Sequence, residues 1–444
     1  MRILRRARSL CPECLRAVDA HYVSDADTRV VSLEKNCPMH GTFRTPAWVE
    51  KSETPRFTTW QNSTPPSYPQ LPATTYAKGC PFDCGLCPGH AQQTCCALIE
   101  VTRRCNMHCP LCFAASGETG IDPGMEEVAD MLSTLRAHGG RANVQLSGGE
   151  PTVRDDLPDI IRLAHDSGFP FVQLNTNGLR LAREAGYAKR LKQAGLDLVY
   201  LQWDGMRENT FRVLRGAPYL ADKERAARAC IEAGLAVLFV ATIVPGVNDG
   251  ELGDVLHKAL SFGPQLRGLH MQPAASFGRY PWQGREIPRL TLPELMQALE
   301  TQSNGLVRAQ DFHPPSSEHP LCSFSALYQR NGERLELIAG EQGACCSPHA
   351  EAQQARDFVA RHWGGFAPRS APQDQPDAFD AFLAASSLRQ RFTISAMAFQ
   401  DAYSLDLERV QRCHIHIVTR DKRLVPFCMY NMTSVSGVPL YRKA

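Results

Sequence analysis

Short runs of β-branched and aliphatic residues alternate with amphipathic stretches from residue 97 to about residue 272. The runs are ALIEVT, NVQLS, FPFVQLN, LDLVYLQW, AVLFVATIV and LRGLHMQP. Between the first two, Met125, Val128 and Leu132 recur at helical spacing, and Gly139-Gly140 ends the stretch. Six strand-plus-helix units predict an α/β fold with a parallel sheet, either open or partly closed into a barrel.

The pattern differs on both sides of this alternating region. A small cysteine-bearing module comes first, and prolines such as Pro55 and Pro72 then mark an extended linker. After Pro293 the alternation is lost. The predicted divisions are a metal module (1–50), a linker (51–76), a cysteine-rich segment (77–96), the barrel (97–290) and a C-terminal cluster and substrate-covering domain (291–444).

Composition narrows the classes of protein to consider. The chain has 444 residues, 43% hydrophobic and 21% charged, with a formal net charge of +2, which is typical of a globular protein. Its balanced charge argues against nucleic acid or an anionic membrane as a partner. The basic start MRILRRARSLCPEC has too short an apolar stretch for a signal peptide, and no later segment reaches membrane-spanning length. We therefore expect a cytoplasmic protein without a transmembrane segment.

Cysteine is the residue whose distribution points to chemistry. Seventeen cysteines in a cytoplasmic chain do not predict disulfides, because cytosolic thiols are kept reduced. In most groups only two or three residues separate one cysteine from the next, which brings their sulfurs within reach of one metal centre. Cys230 stands alone in a helical run and is interpreted as a buried apolar residue. The sequence therefore predicts several metal centres.

Cys105, Cys109 and Cys112 lie directly after the first strand run. Parallel α/β sheets and barrels place their chemistry at this carboxyl end. Three thiolates can hold three irons of a cubane cluster and leave the fourth iron free to bind a small molecule. A zinc site with the same spacing is the alternative.

The nonapeptide CNMHCPLCF resembles the radical S-adenosylmethionine (radical SAM) superfamily, whose Cys-x3-Cys-x2-Cys motif is followed by an aromatic residue, here Phe113. The resemblance implies a partial (β/α)6 barrel of the TIM type. It also implies that the open iron of a 4Fe-4S cluster chelates S-adenosylmethionine. An electron from the cluster would then release a 5′-deoxyadenosyl radical, which abstracts a hydrogen atom from the substrate.

Further motifs follow in the order that this resemblance requires. LSGGEP ends the second run, where Gly148 and Gly149 are expected to let the backbone approach the methionine moiety and Glu150 to accept from its amino group. Each motif alone is also typical of a turn or helix cap, but their order favours a cofactor site. The other expected cofactor contacts, at later strand ends, are Asn175, Gln202, Asp204 and Val244.

Two further clusters are predicted from the remaining cysteines. Cys80, Cys84 and Cys87 repeat the three-two spacing, and Cys95 or Cys96 would complete a fourth ligand. A cluster with four protein ligands is suited to electron relay, and a structural zinc is the alternative. The candidate ligands of the other cluster are Cys322, one of Cys345 and Cys346 (Cys346 is chosen), Cys413 and Cys428.

The N-terminal module presents CPEC and CPMHG, which supply Cys11, Cys14, Cys37 and His40. Two knuckles separated by about twenty residues suit a tetrahedral metal. Relatives in the resembled branch carry a rubredoxin-like module here, but a histidine ligand favours zinc over iron. We expect a structural role for this site.

A finer resemblance covers most of the chain, through motifs such as GCPFDCGLCPGHAQQTC, QPAASFGR and VPFCMYN. It points to the branch that holds archaeal tetraether lipid synthase and the class D radical SAM methylases. The implied function is methylation of an unactivated carbon in a small pterin-like substrate, with a flavodoxin or ferredoxin as reductant. Carbon–carbon coupling of lipid chains is the alternative enzyme, and a non-catalytic iron–sulfur carrier or scaffold is the alternative of another class.

A carrier needs no site for an amino acid moiety, so the GGE motif argues against that last alternative. A compact polar substrate requires convergent polar groups. The predicted candidates for them are Asp311, His319, Tyr430 and Asn431.

Overall fold

The computed structural model describes residues 1–442 apart from 26–27, 63–64, 283–288, 316, 339–351 and 365–389. These residues form two sheets, one of four strands and one of eleven. Within this described part, no helix combines the length and the apolar character needed to cross a membrane.

The N-terminal sheet is antiparallel and follows chain order. Its strands are β1 (Arg2–Leu10), β2 (Ala17–Ser24), β3 (Val30–Cys37) and β4 (Gly41–Val49). Ala20 and Tyr22 of β2, and Val31 and Leu33 of β3, are buried at alternate positions, as in strands with one face on a core. The β1–β2 and β3–β4 turns, which carry the predicted metal ligands, lie at the same end of the sheet.

Six parallel strands form the centre of the larger sheet and pair in chain order. They are β5 (Cys96–Thr102), β6 (Asn143–Gly148), β7 (Val172–Thr176), β8 (Leu198–Gln202), β9 (Ala236–Ile243) and β10 (Leu266–Pro273). Each coincides with one predicted run, because strands buried on both faces read as continuous apolar stretches. The predicted α/β fold with a partial barrel is confirmed.

The C-terminal region extends this sheet at both edges. Its strands are β11 (Ser323–Asn331), β12 (Arg334–Leu337), β13 (Arg391–Met397), β14 (Ile415–Val418) and β15 (Leu424–Pro426). β13 pairs in parallel with β10, and β14 pairs in parallel with β5. The expected division at 290/291 therefore falls within a region whose two sides share one sheet. In the described part of the chain, β13 and β14 do not pair, so the barrel is open between them.

The helices pack mainly outside the barrel. They are α1 (Met125–His138), α2 (Leu157–Asp166), α3 (Leu179–Arg183), α4 (Tyr187–Gln193), α5 (Glu208–Arg215), α6 (Leu220–Glu232), α7 (Leu252–Ser261), α8 (Leu292–Gln302), α9 (Ala352–Gly364), α10 (Leu407–Gln411) and α11 (Phe427–Tyr430). α1 begins and ends where the periodicity predicts. α9 instead covers the amino end of the barrel, where Arg356 donates to the carbonyls of Thr94 and Gly139.

The N-terminal sheet is docked on the segment before α10. Arg5 forms an ion pair with Asp406 at 2.6 Å, and the Tyr22 hydroxyl donates to the same carboxylate at 2.9 Å. Lys35 Nζ donates to the Ala402 carbonyl at 2.6 Å and is fully buried. Buried charges are stable only with such partners, so these contacts fix the metal module against the C-terminal region.

Candidate active site

A cavity of about 350 Å³ lies inside the partial barrel. Its wall takes side chains from every strand from β5 to β10 and from β13. The loop that follows β5 closes its carboxyl end, and Phe358 and Trp363 of α9 close its amino end. The volume is within the range of small-molecule sites, and its carboxyl end is where barrels place their chemistry.

The loop after β5 brings Cys105, Cys109 and Cys112 to the cavity wall. Their side chains cluster with Met107 and Leu179. Burial raises the pKa of Cys105 to about 12, and Glu150 and the other two thiols act in the same direction. Bound iron supplies the positive charge that such thiols need to become thiolates. This donor set fits a 4Fe-4S cluster with three protein ligands.

Arg279 and Gly278 hold this loop, and sequence reasoning did not single them out. Arg279 donates from Nε to the Cys109 carbonyl at 2.8 Å and from Nη2 to the Ser116 carbonyl at 3.0 Å. Gly278 has a φ of +55°, and a Cβ there would lie 2.4 Å from the Phe113 carbonyl oxygen. Both residues belong to the motif QPAASFGR, which carried part of the family resemblance. The motif did not indicate that these residues contact the cysteine loop.

The two glycines of LSGGEP lie tightly against the chain that leads into the cysteine loop. A Cβ on Gly148 would lie 2.1 Å from the Thr102 carbonyl oxygen, and one on Gly149 would lie 2.2 Å from that of Arg104. The side chains are therefore excluded by the chain leading into the cysteine loop. Both glycines also line the cavity, so the approach of the methionine moiety to their backbone stays a prediction.

Glu150 lines the cavity and is almost fully buried. Its Oε1 accepts from the Thr152 hydroxyl at 2.6 Å and the Thr176 hydroxyl at 2.7 Å, and its Oε2 accepts from the Asn177 N–H at 2.6 Å. The carboxylate thus ties the end of β6 to the end of β7. One lone pair of Oε2 is left for a ligand amino group.

Asn175 and Gln202 also line the cavity. Asn175 Oδ1 accepts from Gln145 Nε2 at 2.7 Å, and Gln202 Oε1 accepts from Lys223 Nζ at 3.0 Å. Burial lowers the pKa of Lys223 to about 8. These bonds orient two amides toward the carboxyl end of the cavity.

Asp204 forms a buried ion pair with Arg215. Its carboxylate makes two 2.7 Å bonds with Arg215 and is nearly inaccessible to solvent. Arg215 in turn donates to the Leu111 carbonyl at 2.9 Å. Asp204 is not among the described residues of the cavity wall, and it supports the cysteine loop through Arg215; its contact with the cofactor stays a prediction.

Phe113 and Val244 differ in their access to the cavity. Phe113 lines it, and its ring centroid lies 5.5 Å from that of Phe427. Val244 packs in a small cluster with Leu111, and its N–H donates to Asn248 Oδ1 at 2.8 Å. Its backbone N–H is therefore already bonded.

The second cysteine group lies beside the C-terminal segment. Burial, followed by the neighbouring thiols of Cys80, Cys87 and Cys413, raises the pKa of Cys84. The predicted fourth ligand, Cys95, instead lines the barrel cavity with Cys96. Cys413 is therefore a further candidate for that position.

The third cysteine group is only partly described. Burial, followed by Cys428 and then Cys322 among other influences, raises the pKa of Cys413. Arg409 Nε lies 3.4 Å from Cys322 Sγ. Cys345 and Cys346 lie outside the described residues, so three of the four predicted ligands have a described position.

The N-terminal turns form a compact donor group. One ligand atom from each of Cys11, Cys14, Cys37 and His40 lies within 4.8 Å of the others. His40 Nδ1 is 3.5 Å from Cys11 Sγ and 3.4 Å from Cys37 Sγ. Three sulfurs and one imidazole suit tetrahedral zinc.

The polar residues predicted to receive a substrate lie elsewhere. Asp311 accepts from the Tyr328 hydroxyl at 3.0 Å, and His319 bonds to Arg5. Tyr430 donates to Glu100, and Asn431 accepts from Arg442. None of the four is part of the cavity wall. Polar wall residues that the sequence did not indicate include Gln145, Gln173, His270, Glu318, Thr393 and His414.

Comparisons with known proteins agree with this geometry. Residues 99–259 match the radical SAM superfamily, and residues 3–49 match the N-terminal zinc ribbon domain of HMPTM. The 7,8-dihydro-6-hydroxymethylpterin dimethyltransferase of Methanocaldococcus jannaschii is 32% identical over 96% of this chain and 93% of that protein. The chain belongs to the radical SAM superfamily. It is a radical SAM enzyme with a zinc ribbon at its N-terminus.

Some similar proteins match a smaller share of the chain. A probable GTP 3′,8-cyclase of Methanothermobacter thermautotrophicus is 31% identical over 39% of this chain and 56% of that protein. Among solved structures, Streptococcus suis SuiB bound to S-adenosylmethionine aligns over 48% of each chain at 14% identity and a TM-score of 0.38. Methylornithine synthase aligns over 48% of this chain and 64% of its own, at 15% identity and a TM-score of 0.39.

Proposed function

We propose that this radical SAM enzyme methylates a reduced pterin at an unactivated carbon. The observation that carries the proposal is the cavity wall, which presents amide, hydroxyl and imidazole groups from Gln145, Gln173, Asn175, His270 and Thr393. A neutral heterocycle with several donors and acceptors matches such a wall. The pterin dimethyltransferase, to which the chain is similar along nearly its whole length, supports the same substrate class.

The cavity is poorly suited to a nucleoside triphosphate. Arg215 is the one arginine among the described wall residues, which include no lysine, and Asp204 engages it through two hydrogen bonds. Phosphate groups are normally bound by uncommitted arginine or lysine side chains or by helix N-termini. The similarity to GTP 3′,8-cyclases, which covers 39% of this chain, is therefore not extended to their substrate.

A lipid chain is also disfavoured. A tail in this cavity would exclude water from the amide and imidazole groups that line its wall, among them Asn175, Gln202 and His270. Leaving such a group unpaired costs about 1–3 kcal/mol. A polar ring can satisfy these groups, whereas an alkyl chain cannot.

The site residues divide into three roles. When bound, a 4Fe-4S cluster on Cys105, Cys109 and Cys112 together with S-adenosylmethionine would supply the 5′-deoxyadenosyl radical. Glu150, Asn175 and Gln202 stand at the same end of the cavity, where they would orient the methionine and ribose groups. Trp363 and its neighbours on α9 close the opposite end and exclude water.

The other metal centres would support this site. Cys80, Cys84 and Cys87, with Cys413 or Cys95, would hold a cluster that relays electrons from a flavodoxin or ferredoxin. Cys322, Cys413 and Cys428 are the described candidates for a further cluster. Because Cys413 lies near both groups, it can serve one of them only.

The test is an anaerobic assay with reconstituted protein, dithionite, S-adenosylmethionine and 6-hydroxymethyl-7,8-dihydropterin deuterated at its saturated ring carbon. We expect methylated pterin and deuterium in 5′-deoxyadenosine. The Cys105→Ala, Cys109→Ala, Cys112→Ala triple variant should form neither and should keep iron at its other centres. Deuterium arriving from a labelled lipid tail, with none from the pterin, would contradict the proposal.

A further inference from the structure

Two carboxylates line the described cavity wall, those of Glu150 and Glu318. They differ in how fully their oxygens are hydrogen-bonded. Glu150 binds the backbone and hydroxyl groups of neighbouring strand ends, as described above. Glu318 accepts at Oε1 from the Ser323 hydroxyl at 2.6 Å, and its Oε2 lies 3.3 Å from the Ser317 hydroxyl. A carboxylate has about four acceptor positions. Glu318 therefore keeps acceptor capacity on both oxygens.

The surroundings of Glu318 hold it in place on the open side of the barrel. Asn62 Nδ2 donates to the Glu318 carbonyl at 2.6 Å, and Gln92 Nε2 donates to the Ser317 carbonyl at 2.5 Å. His414 Nε2 lies 3.4 Å from Glu318 Oε2, and the two side chains are 10% and 7% exposed. Groups fixed in this way lose little freedom when a ligand binds.

Other polar side chains line the same cavity, among them Asn175, Gln202 and His270. Buried polar atoms are normally paired with protein, water or ligand. The cavity that holds Glu318 therefore has further groups for a heterocycle.

We propose that Glu318 recognises the 2-amino edge of the pterin. One carboxylate oxygen would accept from the 2-amino group and the other from the adjacent ring N–H, because these two parallel donors match the two oxygens of a carboxylate. The assignment rests on the proposed function and adds to it the residue that selects a 2-aminopteridine. No bond is made or broken at Glu318.

The test is a switch of preference in Glu318→Gln. A 2,4-dioxopteridine presents an acceptor where the pterin presents its amino group, so a carboxylate repels it and a glutamine amide can donate to it. We would measure binding of 6-hydroxymethyl-7,8-dihydropterin and its 2-oxo counterpart by anaerobic equilibrium dialysis with S-adenosylmethionine present. Glu318→Gln should weaken pterin binding on the order of 10- to 100-fold and favour the 2-oxo compound.

Two variants and one fold check complete the experiment. Asp311→Asn removes a carboxylate outside the cavity wall and should keep the wild-type preference. Ser323→Ala keeps the Glu318 charge but removes its 2.6 Å bond, and should weaken pterin binding about tenfold without a switch. Binding of S-adenosylmethionine to each variant reports a folded site.

The outcomes separate the two proposals. Wild-type preference in a folded Glu318→Gln variant, or a switch in Asp311→Asn, overturns the assignment of Glu318 alone. If Glu318→Gln does not fold, unchanged pterin affinity in Ser323→Ala overturns it. A wild-type protein that binds neither pteridine rejects the proposed function and the assignment with it.

Discussion

At the scale of single residues, Asp204 and Arg215 link a strand end to the cysteine loop. Both side chains are almost completely buried. In addition to its bonds with Asp204, Arg215 donates to the Leu111 carbonyl and the Thr242 hydroxyl. A buried ion pair of this kind contributes little net free energy to folding. Removing one partner is costly, because the remaining charge is then buried without a counter-charge. Asp204 thus acts on the site through the backbone that it supports.

Asp204→Asn should lower the free energy of unfolding by about 3–5 kcal/mol, because Arg215 would be left without its carboxylate. Urea denaturation measures this, and Asp159→Asn, which breaks an exposed pair with Arg162, should cost less than about 1 kcal/mol. A fully stable Asp204→Asn protein that binds S-adenosylmethionine weakly would instead favour direct contact with the cofactor.

His270 makes the stability of the folded protein depend on pH. Burial lowers its pKa from 6.5 to about 4, and its Nδ1 lies 2.9 Å from Ser395 Oγ. Between these two pKa values the unfolded chain binds the proton and the folded chain does not, so stability falls as the pH falls through this window.

Between pH 7 and pH 5 the contribution of His270 amounts to about 2 kcal/mol. His270→Asn should therefore lose less stability than wild type over this range, measured by urea denaturation at each pH. Equal losses in the two proteins would show that His270 does not titrate as described.

At the scale of elements, the segment 274–279 between β10 and α8 fixes the cysteine loop. Its backbone exchanges two hydrogen bonds with Cys112, and Arg279 adds two to loop carbonyls. The segment has no regular secondary structure. Its conformation therefore depends on residues such as Gly278, whose positive φ is rarely adopted by residues that have a side chain.

Gly278→Ala should displace the cysteine loop, since the new Cβ would lie 2.4 Å from the Phe113 carbonyl oxygen. We expect formation of 5′-deoxyadenosine to fall on the order of tenfold or more. Metal analysis should show that the protein has lost the iron of one cluster. Gly234→Ala is the matched control, because Gly234 also has a positive φ but nothing within 4 Å of the added atom. Similar losses in both variants would assign the effect to backbone strain alone.

The zinc ribbon is the second element with a testable role. Cys37→Ser should remove its metal and lower the unfolding temperature by roughly 5 °C or more, because metal binding is part of the folding free energy of such modules. Cleavage of S-adenosylmethionine by the folded variant should remain close to wild type. Zinc content and thermal unfolding measure the change, and loss of cleavage without loss of stability would indicate a redox role instead.

At the scale of the whole molecule, parts distant in sequence enclose one cavity. The cysteine loop closes one end, α9 closes the other, and Glu318 and His414 stand on the side where β13 and β14 leave the barrel open. A radical enzyme needs such enclosure, because solvent would quench the reactive species.

Trp363→Ala should open the amino end of this cavity to water. We expect the ratio of 5′-deoxyadenosine to methylated product to rise several-fold, while cleavage of S-adenosylmethionine itself continues. Arg361→Ala, on the same helix but exposed, is the control and should keep the wild-type ratio. An unchanged ratio in Trp363→Ala would show that α9 does not shield the reaction.

Sequence alone determined the features that depend on neighbouring residues. The six barrel runs are visible because buried parallel strands are continuously apolar, and the cysteine trio because its spacing is set by the reach of one short loop. The order of GGE and the later strand-end motifs predicted the radical SAM site for the same reason. The family comparison then confirmed that the chain is a radical SAM enzyme.

Tertiary structure decided the features that depend on contacts between distant residues. Arg279 reaches Cys109 across 170 positions, and β11 to β15 extend a sheet whose six central strands precede residue 274. Local sequence patterns cannot indicate that Glu318 enters the cavity while Asp311 does not, since both are acidic residues in the same region between α8 and β11. Such choices follow from the packing of elements against one another, and that packing is not encoded in any short stretch of the chain.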